Sequence, residues 1–189
     1  MLFIILAISK RKNLILSVVA ESLPNLKSGA LRDFEKILKS WGLFWEFKIN
    51  KTDRTYSYTT DIFDDNGHKI GENTNLIEFF SVEGEGSRLG SRRTHLYVNE
   101  ADMIKFETFI EISGRTSEFT ILDYNPRRKF WAHKELIGQS HVDYLVLNFT
   151  DNEYIPANEK KSILWYKKKA DEGSKYFLNK WRVLGLGLL

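Results

Sequence analysis

The sequence predicts an α/β fold in which helices flank a mainly parallel sheet. Short apolar runs rich in β-branched residues, such as residues 14–19, are typical of strands buried on both faces. Segments with helical spacing separate these runs, and strands joined by helical crossovers form parallel sheets. The chain has 189 residues, 42% of them hydrophobic, which is enough for one core, so a single domain is expected.

The N-terminal third is predicted to run helix, strand, helix. Residues 2–8 are expected to be the end of a buried helix, because the basic residues 10–12 supply the cationic finish that a helix C-terminus favours. After the strand at 14–19, apolar residues recur at helical spacing from Leu26 to Trp41, and Gly42 ends the pattern.

Residues 43–82 are predicted to form an antiparallel excursion from this sheet. Alternating polar and apolar residues predict strands at 44–49 and 54–60, and a third strand is expected at 76–82. The run Asp64-Asp65-Asn66-Gly67 predicts a tight turn before the third strand.

The α/β rhythm returns after residue 93. Further strands are expected at 94–98, 119–124 and 143–149. Helices are expected at about 103–112, 130–136, 158–170 and 174–183.

Composition excludes several classes of protein. The chain has no cysteine, which rules out disulfides, thiolate zinc sites and cysteine nucleophiles and favours a cytoplasmic location. The formal charge of +3 gives only weak support for nucleic-acid binding. The apolar start, residues 1–9, is far shorter than the ~20 residues that span a bilayer, so no membrane partner is expected.

The sharpest local signal is the apolar strand that ends in Asn99 and Glu100. Ligands of open α/β sheets bind beyond the carboxyl ends of strands, so this pair is expected to face a site. In nucleotide hydrolases an acidic residue here helps to hold the Mg²⁺ shell, and a following Glu polarises the attacking water. The alternative is structural, with Asn99 as a helix N-cap and Glu100 in the first helical turn.

Two further features accompany this pair. The strand at 119–124 leads to Asn125, which precedes a proline and could sense a γ-phosphate, although Asn-Pro also begins ordinary turns. Arg88, Arg92 and Arg93 crowd a Gly-rich loop, where a guanidinium could reach a transferring phosphoryl group or simply be solvated.

The order of these stretches resembles the terminase large subunit of tailed bacteriophages. The resemblance is carried by residues 17–34 (SVVAESLPNLKSGALRDF), 90–101 (GSRRTHLYVNEA) and 123–126 (DYNP), and residues 150–152 and 180–187 are similar to later segments of that family. It covers nearly the whole chain. It implies that residues 1–189 form part of an ATPase domain of the P-loop type, coupled in that family to pumping DNA into an empty capsid.

The resemblance also implies roles and partners. Glu100 corresponds to the catalytic carboxylate, Asn99 to the Walker B residue that contacts Mg²⁺ through water, and Asn125 to the coupling residue. Arg88, Arg92 or Arg93 corresponds to an arginine finger donated to a neighbouring subunit. The implied cofactors are ATP and Mg²⁺. The implied partners are double-stranded DNA, the terminase small subunit, the portal protein and other large subunits, in the cytoplasm of a bacterial host.

Two departures from the family limit the expected activity. No G-x-x-x-x-G-K-[ST] phosphate-binding loop occurs in the sequence, and no acidic triad suited to the family's nuclease domain is present. We therefore expect a fragment that lacks the first strand of the ATPase core, hydrolyses little ATP alone and is prone to self-association. The alternative is a non-catalytic module that binds DNA or packaging proteins through residues 165–169 and 127–129.

Overall fold

Six strands form one mixed sheet in the order β2-β3-β4-β1-β5-β6. β4, β1, β5 and β6 run parallel, and β3 and β2 extend the sheet as antiparallel neighbours of β4. The predicted α/β fold with a mainly parallel sheet is confirmed. The strands are β1 (Ile15–Ala20), β2 (Lys48–Asn50), β3 (Thr55–Phe63), β4 (Lys69–Ser81), β5 (Arg93–Val98) and β6 (Thr116–Leu122).

The computed structural model describes residues 1–84 and 86–188, which separate into two compact units, Met1–Asp123 and Tyr124–Leu189. The first unit holds the whole sheet, and the second is built from helices and irregular segments. The helices of the first unit are α1 (Leu2–Ile8), α2 (Leu23–Leu26), α3 (Arg32–Ser40), α4 (Gly86–Leu89) and α5 (Phe106–Ser113). Those of the second are α6 (Trp131–Glu135), α7 (Ala157–Asp171) and α8 (Lys175–Lys180).

The N-terminal prediction of helix, strand and helix is confirmed. α1 ends where the Ser9 hydroxyl donates a hydrogen bond to the carbonyl of Leu6 at 2.7 Å. The second helix is interrupted, because the backbone at Gly29 leaves helical angles in the turn Lys27–Leu31 between α2 and α3. This kink separates α2 from α3.

One face of the sheet carries the main core. Leu16, Val18 and Ala20 of β1 are buried beneath the helices that precede and follow the strand. Phe34 of α3 packs on Phe79 of β4, with their ring centroids 5.0 Å apart. Ser17 and Val19, which alternate with these residues along the strand, are buried too, so β1 is buried on both faces, as its mainly apolar sequence predicts.

The antiparallel region differs in detail from the prediction. Residues 44–46 form a helical turn, so the first strand is limited to β2, and the predicted strand at 44–49 is wrong for its first half. The turn at 64–67 is confirmed, with the Asp64 side chain accepting from the N–H groups of Asn66 and His68, both at 2.9 Å. β4 is much longer than predicted, because its polar first half pairs with β3.

In the second unit the helices near 130–136, 158–170 and 174–183 are confirmed as α6, α7 and α8 with the turn Trp181–Gly185. α7 and α8 pack through Trp165 and Phe177, whose ring centroids lie 4.8 Å apart. The strand predicted at 143–149 is wrong, since residues 143–148 form no regular structure. Leu145 is 76% exposed, which is incompatible with the buried strand that its neighbours suggested.

No helix in the described ranges is both long enough and apolar enough to cross a membrane.

Candidate functional site

The strongest candidate site lies where β5 and β6 end. These strands are parallel and in register, with Val98 opposite Leu122, so their carboxyl ends meet at one edge of the sheet. The N–H of Asn99 donates to the carbonyl of Val19 on β1 at 2.8 Å, and the N–H of Ala101 donates to the carbonyl of Asp123 at 2.8 Å. The segment after β5 is thus fixed by bonds to both neighbouring strands.

Glu100 occupies an unusual backbone conformation at this edge. Its φ and ψ angles are 54° and 56°, in the left-handed region. This conformation costs a residue with a β-carbon about 1–2 kcal/mol, and such strain concentrates at functional sites. Glu100 also precedes the helical turn Ala101–Met103, and no side chain caps that turn. The interpretation of Asn99 as a helix N-cap is therefore wrong, and the helix predicted from residue 103 begins at Phe106.

Asp123 holds Glu100 in place from the neighbouring strand. Its Oδ1 accepts a hydrogen bond from the Glu100 N–H at 3.0 Å, and its own N–H donates to the carbonyl of Val98 at 3.1 Å. Burial raises the pKa of Asp123, and the nearby carboxylates of Glu100 and Asp102 raise it further against the effect of its hydrogen bonds. Asp123 is nonetheless an exposed residue, so its carboxylate remains accessible to solvent.

Tyr97 completes this group from within β5. Its hydroxyl interacts with Asp123, and burial together with that carboxylate raises the pKa of Tyr97 well above its ordinary value. The same hydroxyl lies 3.4 Å from Oδ1 of Asn99. Sequence reasoning missed Asp123 and Tyr97 as site residues. The available signal was that two successive apolar strands both end in acidic or amide side chains.

The three arginines have different environments. Arg93 is 2% exposed, and its guanidinium donates to the carbonyls of Arg88, Ser91 and Ile112 at 2.8, 2.8 and 3.3 Å. Arg88 is partly exposed and donates to the carbonyl of Asp53 at 3.0 Å, in the turn between β2 and β3. Arg92 is exposed at the amino end of β5.

Arg92 and Arg93 are far from Glu100 within one chain. Arg92 and Arg93 stand at the start of β5 and Glu100 follows its end, so their backbones are roughly 25 Å apart at ~3.3 Å per residue. The burial of Arg93 makes it the least suited of the three to reach another molecule.

Asn125 lies in the second unit, exposed, and its carbonyl accepts a hydrogen bond from the N–H of Arg127 at 2.7 Å. Beside it in sequence, Tyr124 packs its ring against Phe130 and His133, at centroid distances of 4.6 and 5.3 Å. Asn125 thus begins a turn that is followed by a small aromatic cluster.

The donors at the carboxyl edge suit one kind of metal site. Within residues 1–84 and 86–188, no three His, Cys, Asp or Glu side chains converge to hold a metal ion. Mg²⁺ commonly keeps several waters and is held by one or two carboxylates together with substrate phosphates. The amide of Asn99 and the carboxylate of Glu100 fit a Mg²⁺ of that kind and do not fit a cage made by protein alone.

Comparison with solved structures identifies the fold. The large terminase of a thermophilic bacteriophage, solved in complex with ATP-γ-S, matches 99% of this chain and 43% of its own, with a TM-score of 0.64 and 13% identity. A second crystal form of that terminase matches 66% of this chain and 29% of its own, with a TM-score of 0.51 and 15% identity. No protein-family model and no curated protein matches the sequence.

The chain therefore has the fold of phage large terminases, and the family resemblance seen in the sequence is confirmed at the level of the fold. It spans less than half the length of the terminases it matches.

Proposed function

We propose that this chain is the Glu100-bearing part of a viral DNA-packaging ATPase, which couples ATP hydrolysis to movement of double-stranded DNA into a capsid. The observation that carries the proposal is the strained Glu100, fixed at the carboxyl edge of a parallel sheet by Asp123. A backbone held at a cost of about 1–2 kcal/mol is better explained by a role in chemistry than by packing. The terminase fold supports the same role.

In this proposal the Glu100 carboxylate accepts a proton from the water that attacks the γ-phosphate, or orients that water. Asn99 contacts the Mg²⁺ shell through water, and because its amide is uncharged it contributes less to metal affinity than an aspartate would. Mg²⁺, when bound, offsets the negative charge of the phosphates. Asn125 is proposed to couple hydrolysis to movement.

An arginine finger from a neighbouring copy completes the proposed site. Arg88 and Arg92 are both accessible enough for this role, whereas Arg93 is buried. Arg88 sits between glycines, and its hold on Asp53 is to an exposed turn that can exchange it for a phosphate. The other proposed partners are the small terminase subunit and the portal protein.

In this proposal a segment outside these residues binds the nucleotide phosphates, because the sequence contains no G-x-x-x-x-G-K-[ST] run. We therefore expect little ATP turnover by the 189-residue chain alone. A fusion that joins the phosphate-loop strand and turn of the matching thermophilic-phage terminase to Met1 should hydrolyse ATP. Glu100→Gln should lower that rate at least ~100-fold, since general base catalysis contributes about 10²–10⁴.

Glu107→Gln on α5 is the matched control, because it makes the same chemical change on an exposed helix and should leave the rate unchanged. Equal turnover by the fusion and its Glu100→Gln variant would contradict the catalytic role. Strong turnover by the unfused chain, lost in Glu100→Gln, would contradict the expected need for an outside phosphate loop.

A non-catalytic DNA-binding module remains the alternative, but its basic and aromatic clusters are partly occupied. Lys167 lies over the Trp181 ring at 5.6 Å, and Lys169 pairs with Glu172 at 2.6 Å. Trp165 packs against Phe177. Intramolecular contacts therefore engage part of the cluster at residues 165–169 that this alternative would need for phosphate contacts and base stacking.

A further inference from the structure

The amino edge of the sheet carries a second feature that the proposed hydrolysis does not use. An open depression of about 400 Å³ lies at the start of β5 and β6. Arginine and hydroxyl side chains line it, and no carboxylate does so among the described residues. A concave surface lined by charge of one sign concentrates the field and attracts counter-ions. The lining includes Arg92, Arg93, Arg115, Thr94 and Ser117.

Two of these arginines are available to a ligand. Arg92 and Arg115 are exposed, and in the described part of the chain neither has an ion-pair partner. The backbone at Arg115 and next to Arg92 is fixed, because the N–H of Arg93 donates to the carbonyl of Arg115 at 3.0 Å and the N–H of Arg115 donates to that of Ile112 at 3.3 Å. The two guanidinium groups therefore project from anchored positions beside adjacent strands.

The hydroxyls of the depression are already engaged. The Thr94 hydroxyl donates to the carbonyl of Ile15 at 2.9 Å, and that of Ser117 donates to the carbonyl of Arg93 at 3.3 Å. Hydrogen-bond donors for an anion therefore come from the arginines. A charge contact of this kind tolerates variation in the position of the anion. A small molecule that needs a complete set of directed hydrogen bonds is a poor fit.

More positive charge continues along the same edge. Lys10 and Lys12 are exposed in the turn before β1, the strand next to β5. Asn75 anchors this turn by donating to the carbonyls of Ala7 and Arg11 at 3.0 and 2.9 Å. The carboxylate of Glu118 on β6 is neutralised by an ion pair with Arg11.

From these positions we infer that the amino edge of β1, β5 and β6 binds phosphate groups of a duplex DNA backbone, with Arg92 and Arg115 as the main contacts. Three adjacent strands cover roughly 10 Å. Phosphates recur about every 3.4 Å of axis on one strand of a duplex, so this edge can follow about two or three of them. The inference rests on the DNA-translocation part of the proposed function.

The carboxyl edge cannot serve the same purpose. Glu100, Asp102 and Asp123 crowd it, and Glu21 and Glu83 follow β1 and β4 at the same edge. Carboxylates repel a phosphodiester backbone unless cations intervene. In this inference the carboxyl edge carries the metal-assisted chemistry and the amino edge contacts the DNA backbone.

The test is binding of a fluorescent duplex of about 30 base pairs to the full chain, measured by anisotropy over a salt series without nucleotide. Arg92→Gln/Arg115→Gln should weaken binding by roughly tenfold near 0.1 M salt and reduce the slope of log K against log salt by about two. The matched control Arg32→Gln/Lys36→Gln removes the same charge from α3 and should change neither quantity. Equal losses in both variants, or none in either, would overturn the inference.

Further measurements separate a loss of charge from a loss of folding, and a site for DNA from a site for free phosphate. Arg92→Lys/Arg115→Lys keeps the charge and should retain the salt slope, and thermal unfolding should be unchanged in every variant because these side chains are exposed. Millimolar inorganic phosphate should not displace the duplex, whereas displacement at that concentration would show a site for free phosphate and overturn the assignment to DNA. Failure here is distinct from failure of the proposed hydrolysis, which is measured as Glu100-dependent turnover.

Discussion

The two edges of the parallel sheet are made by the same four strands but differ in charge and in strain. At the carboxyl edge Glu100 is held in a left-handed conformation beside Asp123, and five acidic residues follow the strand ends. At the amino edge the turn before β1 holds one left-handed residue, Asn13, of a type that adopts this conformation at little cost, and the charged side chains lining the depression are all positive. The register of the strands brings the acidic residues together at one edge and the arginines together at the other. The residues just outside each strand therefore determine the chemistry of that edge.

The largest expected effect distinguishes the buried Arg93 from the exposed Arg92 beside it. Arg93→Met should lower the free energy of unfolding by about 3 kcal/mol, because it leaves buried carbonyl groups without a donor. Arg92→Met should change it by less than about 0.5 kcal/mol, since that side chain is exposed. Urea denaturation measures both, and equal losses would mean that burial does not distinguish the two residues.

The second prediction concerns the strain at the carboxyl edge. Glu100→Gly should raise the free energy of unfolding by about 0.5–1 kcal/mol, because relief of the left-handed strain exceeds the added entropy of the unfolded chain. Glu100→Gln keeps the strain and should leave stability, measured by the same urea denaturation, close to that of the natural sequence. Stabilisation by Gln as well as Gly would indicate that charge repulsion, and not backbone conformation, is the cost at this position.

The smallest expected effect is a pH dependence at Asp123. Because burial raises its pKa in the folded state, the folded chain binds the proton more tightly, and stability falls as pH rises from about 4 through the raised pKa. Asp123→Asn should remove this fall while its side-chain oxygen still accepts from the Glu100 N–H. Asp65→Asn, in an exposed turn, is the control that should keep it. Identical pH profiles of unfolding free energy for all three chains would contradict the assignment.

Much of the fold could be predicted because its signals are local. The mainly apolar run of β1 and the helical spacing of α3 each indicate one structure without reference to the rest of the chain. The strand at 143–149 failed for the opposite reason. An apolar run with strand character becomes a strand only where another strand offers hydrogen bonds, and residues 143–148 pair with none in the described chain.

The candidate site could be predicted only in part. The pair Asn99 and Glu100 stands out because a polar pair follows an apolar strand. The left-handed backbone of Glu100 could not be foreseen, since glutamate carries no preference for it. The role of Asp123 depends on β6 lying next to β5 in one register, which is a property of the sheet and not of either strand's sequence. The burial of Arg93 could not be predicted either, because Arg92 next to it has the same side chain and is exposed.

The left-handed backbone at position 100 also has an evolutionary consequence. Glycine and asparagine occupy that conformation at little cost, whereas glutamate supplies the carboxylate while lowering stability. Under the proposed catalytic role, selection for hydrolysis and selection for a stable chain favour different residues at this position. In chains that no longer need hydrolysis, substitution of this glutamate by glycine or asparagine relieves the strain and is no longer selected against. Retention of glutamate at position 100 among related chains is therefore what the proposed catalytic role predicts.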